Sequence, residues 1–209
     1  MKWISLLRNL SVMSIRIGVT GGMGSGKTYV CQLLEKRGIP VFYTDTEAKR
    51  LIVDDSGVRQ RLKDIVGNSL YNREGKLDKK VMASFLVRGK QWADQVNAVV
   101  HPAVRKAMYE WFVVQESHPI VVVECALLFE SGLNKDMDKI VSVVAPLQVR
   151  LDRIVRRDGC TEEHARQMIS LQQSDDYRIK CSDFVVENDG KSDILHQLDS
   201  LNLPLIRQI

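Results

Sequence analysis

The chain has 209 residues, which fits one compact core with a subdomain at about 150 residues per domain. Its composition, 44% apolar and 27% charged, is that of an ordinary globular protein, and its longest apolar run, residues 125–129, is too short for a membrane-spanning helix. The formal charge of +4 suits an anionic ligand but does not by itself indicate a nucleic acid, so neither a nucleic acid nor a membrane is expected as a partner.

Residues 1–14 are interpreted as an N-terminal extension of no assigned function, because Arg8 and Asn9 interrupt the apolar stretch that a signal peptide requires. Four scattered cysteines are present, at Cys31, Cys125, Cys160 and Cys181. None forms a Cys-x-x-Cys pair or has a histidine at metal-ligand spacing. This sparse use of cysteine predicts reduced thiols in a cytoplasmic protein.

Short β-rich runs alternate with segments of helical periodicity along the chain. The predicted strands are 15–19, 39–43, 120–123, 140–145 and 184–186. The predicted helices beside them are 28–37, 46–53, 146–157 and 161–173. Such alternation is typical of a parallel sheet covered by helices on both faces, an α/β fold with three layers.

The alternation breaks over residues 54–118, which contain predicted helices only. These helices are 56–66, 78–87 and a long one at about 91–114. A helical block between the second and third strands predicts a substrate-binding insertion, which divides the core into 15–53 and 119–209. The alternative is that these helices only pad the sheet.

The strongest signal is a glycine-rich run between the first predicted strand and the first predicted helix. Residues 21–28, GGMGSGKT, match the phosphate-binding P-loop pattern G-x-x-x-x-G-K-[ST] in full. The glycines allow the backbone N–H groups to face phosphate oxygens, and the helix N-terminus adds a favourable dipole. We expect Lys27 to reach the β- and γ-phosphates and the Thr28 hydroxyl to bind Mg²⁺.

A P-loop alone does not distinguish a switch GTPase, an ATPase and a small-molecule kinase. GTPases recognise guanine through an N-K-x-D motif. Residues 134–138, NKDMD, miss that motif by one residue and lead into a strand instead of following one. The sequence therefore disfavours a GTPase and leaves the other two classes open.

A carboxylate, Asp45, follows the second predicted strand, eighteen residues after Lys27. Ligands of open parallel sheets bind beyond the carboxyl ends of the strands. Asp45 is therefore placed to accept a hydrogen bond from an attacking hydroxyl and to help hold Mg²⁺. Alternatively it caps the predicted helix 46–53, because Asp is a favoured N-cap residue, and the two roles are compatible.

In chain order, these and later motifs resemble those of the dephospho-coenzyme A kinase family. The matching segments are 17–28 (IGVTGGMGSGKT), 38–41 (GIPV), Asp45-x-x-Ala48, 75–78 (GKLD), His101-Pro102-x-x-Arg105, 127–133 (LLFESGL), Arg157-Asp158, Gln172 and Asn188-x-Gly190. The resemblance covers nearly everything from residue 15 onward. It implies a three-layer P-loop kinase fold with a five-stranded parallel sheet, a helical substrate-binding insertion and a helical lid at about 150–180. It also implies transfer of phosphate from ATP to the ribose 3′-hydroxyl of dephospho-coenzyme A, the last step of coenzyme A synthesis.

The resemblance also assigns roles to side chains. It assigns catalysis to Asp45, Lys27 and Arg157. It assigns binding of the acceptor to Asp45, His101 and Arg105. The implied ATP-binding residues are Gly22, Gly24, Ser25, Gly26, Lys27, Thr28, Tyr29 and Asn188, the last near the adenine. Other kinase acceptors, such as a nucleoside monophosphate, and a regulatory protein that turns over little ATP remain alternatives.

Three assignments have structural alternatives. Glu124 ends the third predicted strand, where a carboxylate either holds Mg²⁺ through water or pairs with Lys27. Arg157 shares a helix with three other arginines, and such a charge run is otherwise a solvated face. If Pro102 lies in the first turn of a helix, where proline is common, it explains part of the motif around His101 without any ligand.

The chain also departs from the family pattern. Tyr43-Thr44-Asp45 stands where the family has Asp-Ala-Asp, so more weight falls on Asp45. The other departures are Lys49 in place of Arg, Glu124 in place of Asp and Ala126 in place of Pro.

Overall fold

The computed structural model describes residues 14–201, so nearly all of the predicted N-terminal extension lies outside the described residues. At its centre is a parallel sheet with the strand order β2-β3-β1-β4-β5. The strands are β1 (Ile15–Thr20), β2 (Val41–Tyr43), β3 (Ile120–Glu124), β4 (Lys139–Val144) and β5 (Phe184–Glu187). All five predicted strands are therefore confirmed, and β3 lies between the strand that precedes the P-loop and the strand that precedes Asp45.

The second strand begins at Val41, two residues later than predicted. Pro40 has no N–H to donate to a neighbouring strand, and proline is therefore found at the ends of strands and not within them. Its carbonyl still accepts a hydrogen bond from the Val122 N–H at 2.9 Å.

Nine α-helices accompany the sheet within residues 14–201. They are α1 (Lys27–Glu35), α2 (Thr44–Asp54), α3 (Ser56–Val66), α4 (Lys79–Leu86), α5 (Lys90–Val114), α6 (Leu147–Asp158), α7 (Glu162–Ser170), α8 (Asp175–Lys180) and α9 (Ile194–Ser200). The sequence did not predict α8 and α9, because six or seven residues are too few to show a helical period. None of the helices of the described chain is long and apolar enough to cross a bilayer.

The core of the sheet is formed by its central strands. Every residue of β3 is buried, and β1 pairs with it so that Val19 lies opposite Glu124. Val19 and Val123 have no exposed surface. Because parallel strands with helices on both faces are buried on both sides, their sequences are continuous apolar runs.

The chain divides into two compact units, one formed by residues up to 42 and from 112 onward, the other by Tyr43–Trp111. The second unit contains α2 to α4 and most of α5, together with a β-bridge between Tyr71 and Leu77. The predicted insertion, 54–118, overlaps this unit.

The helix-capping role predicted for Asp45 is wrong. α2 begins at Thr44, directly after β2, so Tyr43 is its N-cap residue and no side chain caps it. Asp45 is the second residue of the helix and is exposed. There its charge interacts favourably with the positive end of the helix dipole.

The prediction that Pro102 lies in a first helical turn is also wrong. α5 begins at Lys90 and continues through Pro102, which therefore lies near its middle. Proline there removes the N–H that would bond to the carbonyl of Ala98. The apolar periodicity of the 25-residue helix outweighs that loss.

Candidate active site

The P-loop leaves β1 and runs into the first turn of α1. Gly24 and Gly26 have φ angles of 78° and 91°, in the left-handed region that favours glycine. Gly26 is the N-cap residue of α1, and Lys27 is the first residue of the helix. The loop closes on itself through a hydrogen bond from the Ser25 N–H to the Gly22 carbonyl at 3.1 Å. This is the geometry that the motif predicts for a phosphate-binding loop.

Lys27 and Glu124 bring opposite charges together beside the P-loop. The Lys27 Nζ lies 3.8 Å from the Glu124 Oε1, and both side chains are largely buried. Burial, and secondarily the charge of Glu124, raises the pKa of the Cys31 thiol far above its ordinary value. Cys31 therefore remains protonated and is no nucleophile here.

Side chains from two segments that follow β4, the helix α6 and the stretch after α7, form hydrogen bonds with the backbone of the P-loop. The Arg150 Nε donates to the Met23 carbonyl at 2.8 Å, and the Arg153 Nη1 donates to the Gly24 carbonyl at 3.2 Å. The Gln172 Oε1 accepts from the Met23 N–H at 2.7 Å. The sequence placed Arg150 and Arg153 only in the arginine-rich helix of the predicted lid, and Gln172 only in a family motif.

Asn188, predicted to lie near the adenine, contacts the P-loop itself. It is 6% exposed, and its Nδ2 donates to the Ser25 carbonyl at 2.8 Å. Its Oδ1 accepts from the Arg153 Nη2 at 3.1 Å. A contact between Asn188 and adenine stays a prediction.

Arg157 is oriented differently from the two arginines that contact the P-loop. It lies in the last turn of α6, and its side chain is 62% exposed. Its Nε and Nη2 donate to the two carboxylate oxygens of Asp158 at 2.7 and 2.8 Å. This pairing raises the pKa of Arg157 and lowers that of Asp158.

The predicted acceptor residues lie in the second unit. Asp45 is exposed in the first turn of α2, and His101 and Arg105 lie one turn apart on α5 with intermediate exposure. Burial lowers the pKa of His101, so the imidazole is uncharged near neutrality. The α5 helix thus presents an uncharged imidazole and a guanidinium with one-turn spacing.

A sequence model of the dephospho-CoA kinase family matches residues 15–193. The chain belongs to the dephospho-CoA kinase family. A dephospho-CoA kinase of Bacteroides fragilis is 39% identical over 94% of this chain and 96% of its own length. One of Fusobacterium nucleatum is 34% identical over 85% of this chain and 92% of its own length.

Two solved structures share the fold of this chain. A Thermus thermophilus protein, 30% identical, superposes with a TM-score of 0.79 over 90% of this chain and 96% of its own. A dephospho-CoA kinase from Campylobacter jejuni, 21% identical, has the same fold, with a TM-score of 0.64 over 90% of this chain and 94% of its own. The predicted P-loop kinase fold is thus confirmed. The chain is a kinase of the family that converts dephospho-CoA to CoA in the last step of CoA biosynthesis.

Replacing Gly26 in this kinase is expected to damage the phosphate site. In Gly26→Ala the new methyl group would collide with the Asn188 Nδ2, and the residue would keep an unfavourable positive φ. The matched control is Gly38→Ala, which has a φ of 76° but open space around the added methyl group. Gly38→Ala should lose about 1–2 kcal/mol of stability from backbone strain alone.

Thermal melts and ADP titrations of both variants measure the difference. Gly26→Ala should melt at a lower temperature than Gly38→Ala and bind ADP at least tenfold more weakly than the unaltered protein. Gly38→Ala should bind ADP normally. Equal ADP affinities for the two variants would contradict the contact between Gly26 and Asn188.

Proposed function

We propose that this chain transfers the γ-phosphoryl group of ATP directly to the ribose 3′-hydroxyl of dephospho-CoA. Membership of the family supports the overall reaction, and the observation that carries the residue roles is Lys27, placed at the start of α1 beside Glu124. A cation at the end of a P-loop neutralises charge on the β- and γ-phosphates as the phosphoryl group moves.

The donor side of the site is assigned to the P-loop and to Tyr29, in the first turn of α1. The Lys27 ammonium binds the β- and γ-phosphates, and the backbone N–H groups of the loop bind phosphate oxygens. Tyr29 is 52% exposed and so is accessible to a nucleotide. When ATP binds, the attraction between the Lys27 ammonium and the phosphates replaces part of the attraction between Lys27 and Glu124.

The residues present also fit a magnesium ion. Thr28 offers an exposed hydroxyl in the first turn of α1, and Glu124 offers a carboxylate at the end of β3. Hydroxyl and carboxylate oxygens are the ligands that Mg²⁺ prefers, together with water and substrate phosphates. Bound there, the ion neutralises charge on the phosphates. We propose Thr28 and Glu124 as the residues that hold it.

On the acceptor side, Asp45 is proposed to orient and deprotonate the 3′-hydroxyl. The 3′-oxygen forms a bond to the γ-phosphorus while the bond from that phosphorus to the β,γ-bridging oxygen breaks. ADP leaves with the electron pair of that bond, and the hydroxyl proton passes to the Asp45 carboxylate and then to water. Asp45 is exposed, so its side chain is accessible to a hydroxyl group of the acceptor.

Arg157 is proposed to stabilise the charge of the transferring phosphoryl group. In the structure its guanidinium pairs with Asp158 and is largely exposed. An exposed ion pair contributes little to the free energy of unfolding. Arg157 can therefore leave Asp158 and bind a phosphate group with little loss of stability. This assignment keeps Arg157 within the predicted helical lid at about 150–180.

His101 and Arg105 are proposed to bind the acceptor, with Arg105 donating to one of its phosphates. Arg105→Ala should raise the KM for dephospho-CoA about tenfold or more and change the KM for ATP little, because it removes a charge-assisted contact to one substrate only. Steady-state kinetics with each substrate varied in turn measure both constants. Lys106→Ala, an exposed neighbour on α5, is the control. Equal increases in both KM values would indicate a structural role for Arg105.

ADP release with a panel of acceptors tests the proposed function. We expect rapid release with dephospho-CoA and almost none with AMP or without an acceptor. Rapid release with AMP would identify a nucleoside monophosphate kinase, and no release with any acceptor would indicate a regulatory nucleotide-binding protein.

The reaction is proposed to take place in the cytoplasm. All four cysteines fall within residues 14–201, and none of them forms a disulfide there. Cysteines without disulfides are usual in a reducing compartment, which supports this location.

A further inference from the structure

Three consecutive carbonyl groups of the P-loop are held from outside by side-chain donors. Arg150 donates to the Met23 carbonyl, and Arg153 donates to the Gly24 carbonyl. The Ser25 carbonyl accepts from both Arg153 and Asn188. We call the three donor residues Arg150, Arg153 and Asn188 the carbonyl brace. They come from α6 and from the residue after β5, so the brace joins two later segments of the chain to the loop.

Holding a carbonyl also fixes the direction of an N–H group. In a trans peptide unit the C=O of one residue and the N–H of the next point in opposite directions, and the chain has no cis peptide within the described residues. Drawing the Met23 carbonyl toward Arg150 therefore turns the Gly24 N–H away from Arg150. Drawing the Ser25 carbonyl toward Asn188 turns the Gly26 N–H away in the same manner. These are amide groups of the kind that bind phosphate in a P-loop.

Arg150 is the member of the brace that is fixed most firmly. It is 5% exposed, and its Nη1 lies 2.6 Å from the Asp175 Oδ2. Asp175 also accepts from the Nη1 of Arg178, which is 1% exposed, at 3.0 Å. Two buried guanidinium groups therefore share one carboxylate, and Arg150 has few other positions available to it.

The P-loop lies so close to Arg150 that it has little room to shift. A methyl group on Gly22 would collide with the Arg150 guanidinium. A methyl group on Gly24 would come within 2.6 Å of the Arg150 backbone carbonyl oxygen. The two glycines therefore permit a contact that fixes the loop against α6.

We propose that Arg150 is a positioning residue of the phosphate site, which orients the Gly24 N–H toward phosphate by holding the Met23 carbonyl. The proposal rests on the proposed use of ATP as the phosphoryl donor. Arg150 acts through the loop and does not touch the nucleotide. It therefore affects the binding of any nucleotide with a β-phosphate, whatever the acceptor.

Two substitutions at this position test the proposal. Arg150→Met removes the charge and all donors, and Arg150→Lys keeps the charge but replaces the guanidinium fork by a single shorter ammonium. The primary readout is the Kd for ADP without an acceptor. We expect an increase of about tenfold or more for Arg150→Met and a smaller but clear increase for Arg150→Lys. The KM for ATP should rise in parallel, while the KM for dephospho-CoA stays within twofold.

The Gly24 amide gives a readout specific to the contact. With ADP bound at saturation, hydrogen exchange at this amide should be faster in both Arg150 variants than in the unaltered protein, because the proposed hydrogen bond to phosphate is what protects the amide. The controls are Arg156→Met and Arg156→Lys, on an exposed position of the same helix, which should change neither ADP binding nor exchange at Gly24.

Several results would overturn the proposal. A normal Kd for ADP in Arg150→Lys would mean that only the charge matters. A lower melting temperature with normal ADP binding in the folded fraction would mean a purely structural role. If Arg150→Met does not fold, Arg150→Lys decides between these outcomes. Failure of the proposed function is distinguishable, because the unaltered protein would then bind ADP without phosphorylating dephospho-CoA.

Discussion

Lys27→Ala is expected to lower kcat/KM for ATP by about 10³-fold while the protein remains folded. The Lys27 Nζ is the group proposed to neutralise charge on the β- and γ-phosphates, and removing one such stabilising group from a transition state typically costs about 10²–10³-fold or more. The side chain is not part of the apolar core, so the far-UV circular dichroism should remain native.

The structure adds a consequence for stability. Lys27→Ala removes a cation that pairs with the largely buried Glu124 carboxylate, so the melting temperature should fall. Kinetics should therefore be measured well below the melting temperatures of both proteins. Lys36→Ala, an exposed lysine just after α1, is the control and should behave like the unaltered protein. Near-normal turnover in folded Lys27→Ala would contradict the P-loop assignment.

Asp45→Asn is expected to lower kcat by about 10²-fold or more, the usual effect of removing a positioned general base. The substitution keeps the shape of the side chain and removes only its charge. Because Asp45 lies in the first turn of α2 and does not cap it, the loss of stability is limited to the helix-dipole interaction, about 0.3–1 kcal/mol.

Glu47→Gln is the matched control for Asp45→Asn. Glu47 lies in the same first turn of α2 and has the same interaction with the helix dipole, but it pairs with Arg50. It should show a similar small loss of stability and a normal kcat. A loss of only a few-fold in kcat for Asp45→Asn would show that Asp45 merely orients the hydroxyl. Equal losses in both variants would remove the catalytic assignment.

The elements that the sequence predicted well are those with a local physical cause. The P-loop could be placed from 21–28 because its glycines, lysine and threonine are each required by phosphate binding. β3 could be placed because a strand buried on both faces is an unbroken apolar run, as 120–123 is. α3 was predicted with its observed bounds, Ser56–Val66, and local contacts explain both ends: the side chain of Asp55, before the helix, accepts from the Val58 N–H, and Gly67 follows the helix.

The arginines of α6 show what the sequence could not supply. The spacing of Arg150, Arg153 and Arg157 along the sequence places all three on one face of a helix. In the structure only Arg150 and Arg153 contact the P-loop. Which arginine makes the contact depends on where α6 passes the loop, a tertiary property. A partial signal exists, because the buried Leu151 and Ile154 mark the side of the helix that faces inward, and Arg150 and Arg153 flank them.

The corrections at Asp45 and Pro102 have a common cause. Residue preferences suggest helix boundaries, but neighbouring structure determines where a helix begins. α2 begins directly at the end of β2, before Asp45 is reached. α5 begins at Lys90 and its packing tolerates a proline in its middle. Propensity alone predicts neither outcome.

Identification of the phosphorylated product tests whether this chain phosphorylates the ribose 3′-hydroxyl of dephospho-CoA. The purified protein should be incubated with ATP, Mg²⁺ and dephospho-CoA, and the product analysed by mass spectrometry and by ³¹P NMR with coupling to the ribose protons. We expect one added phosphoryl group, attached at the ribose 3′-oxygen, and one ADP for each CoA formed. A phosphoryl group at another position, or ADP formed without a phosphorylated acceptor, would contradict the proposed function.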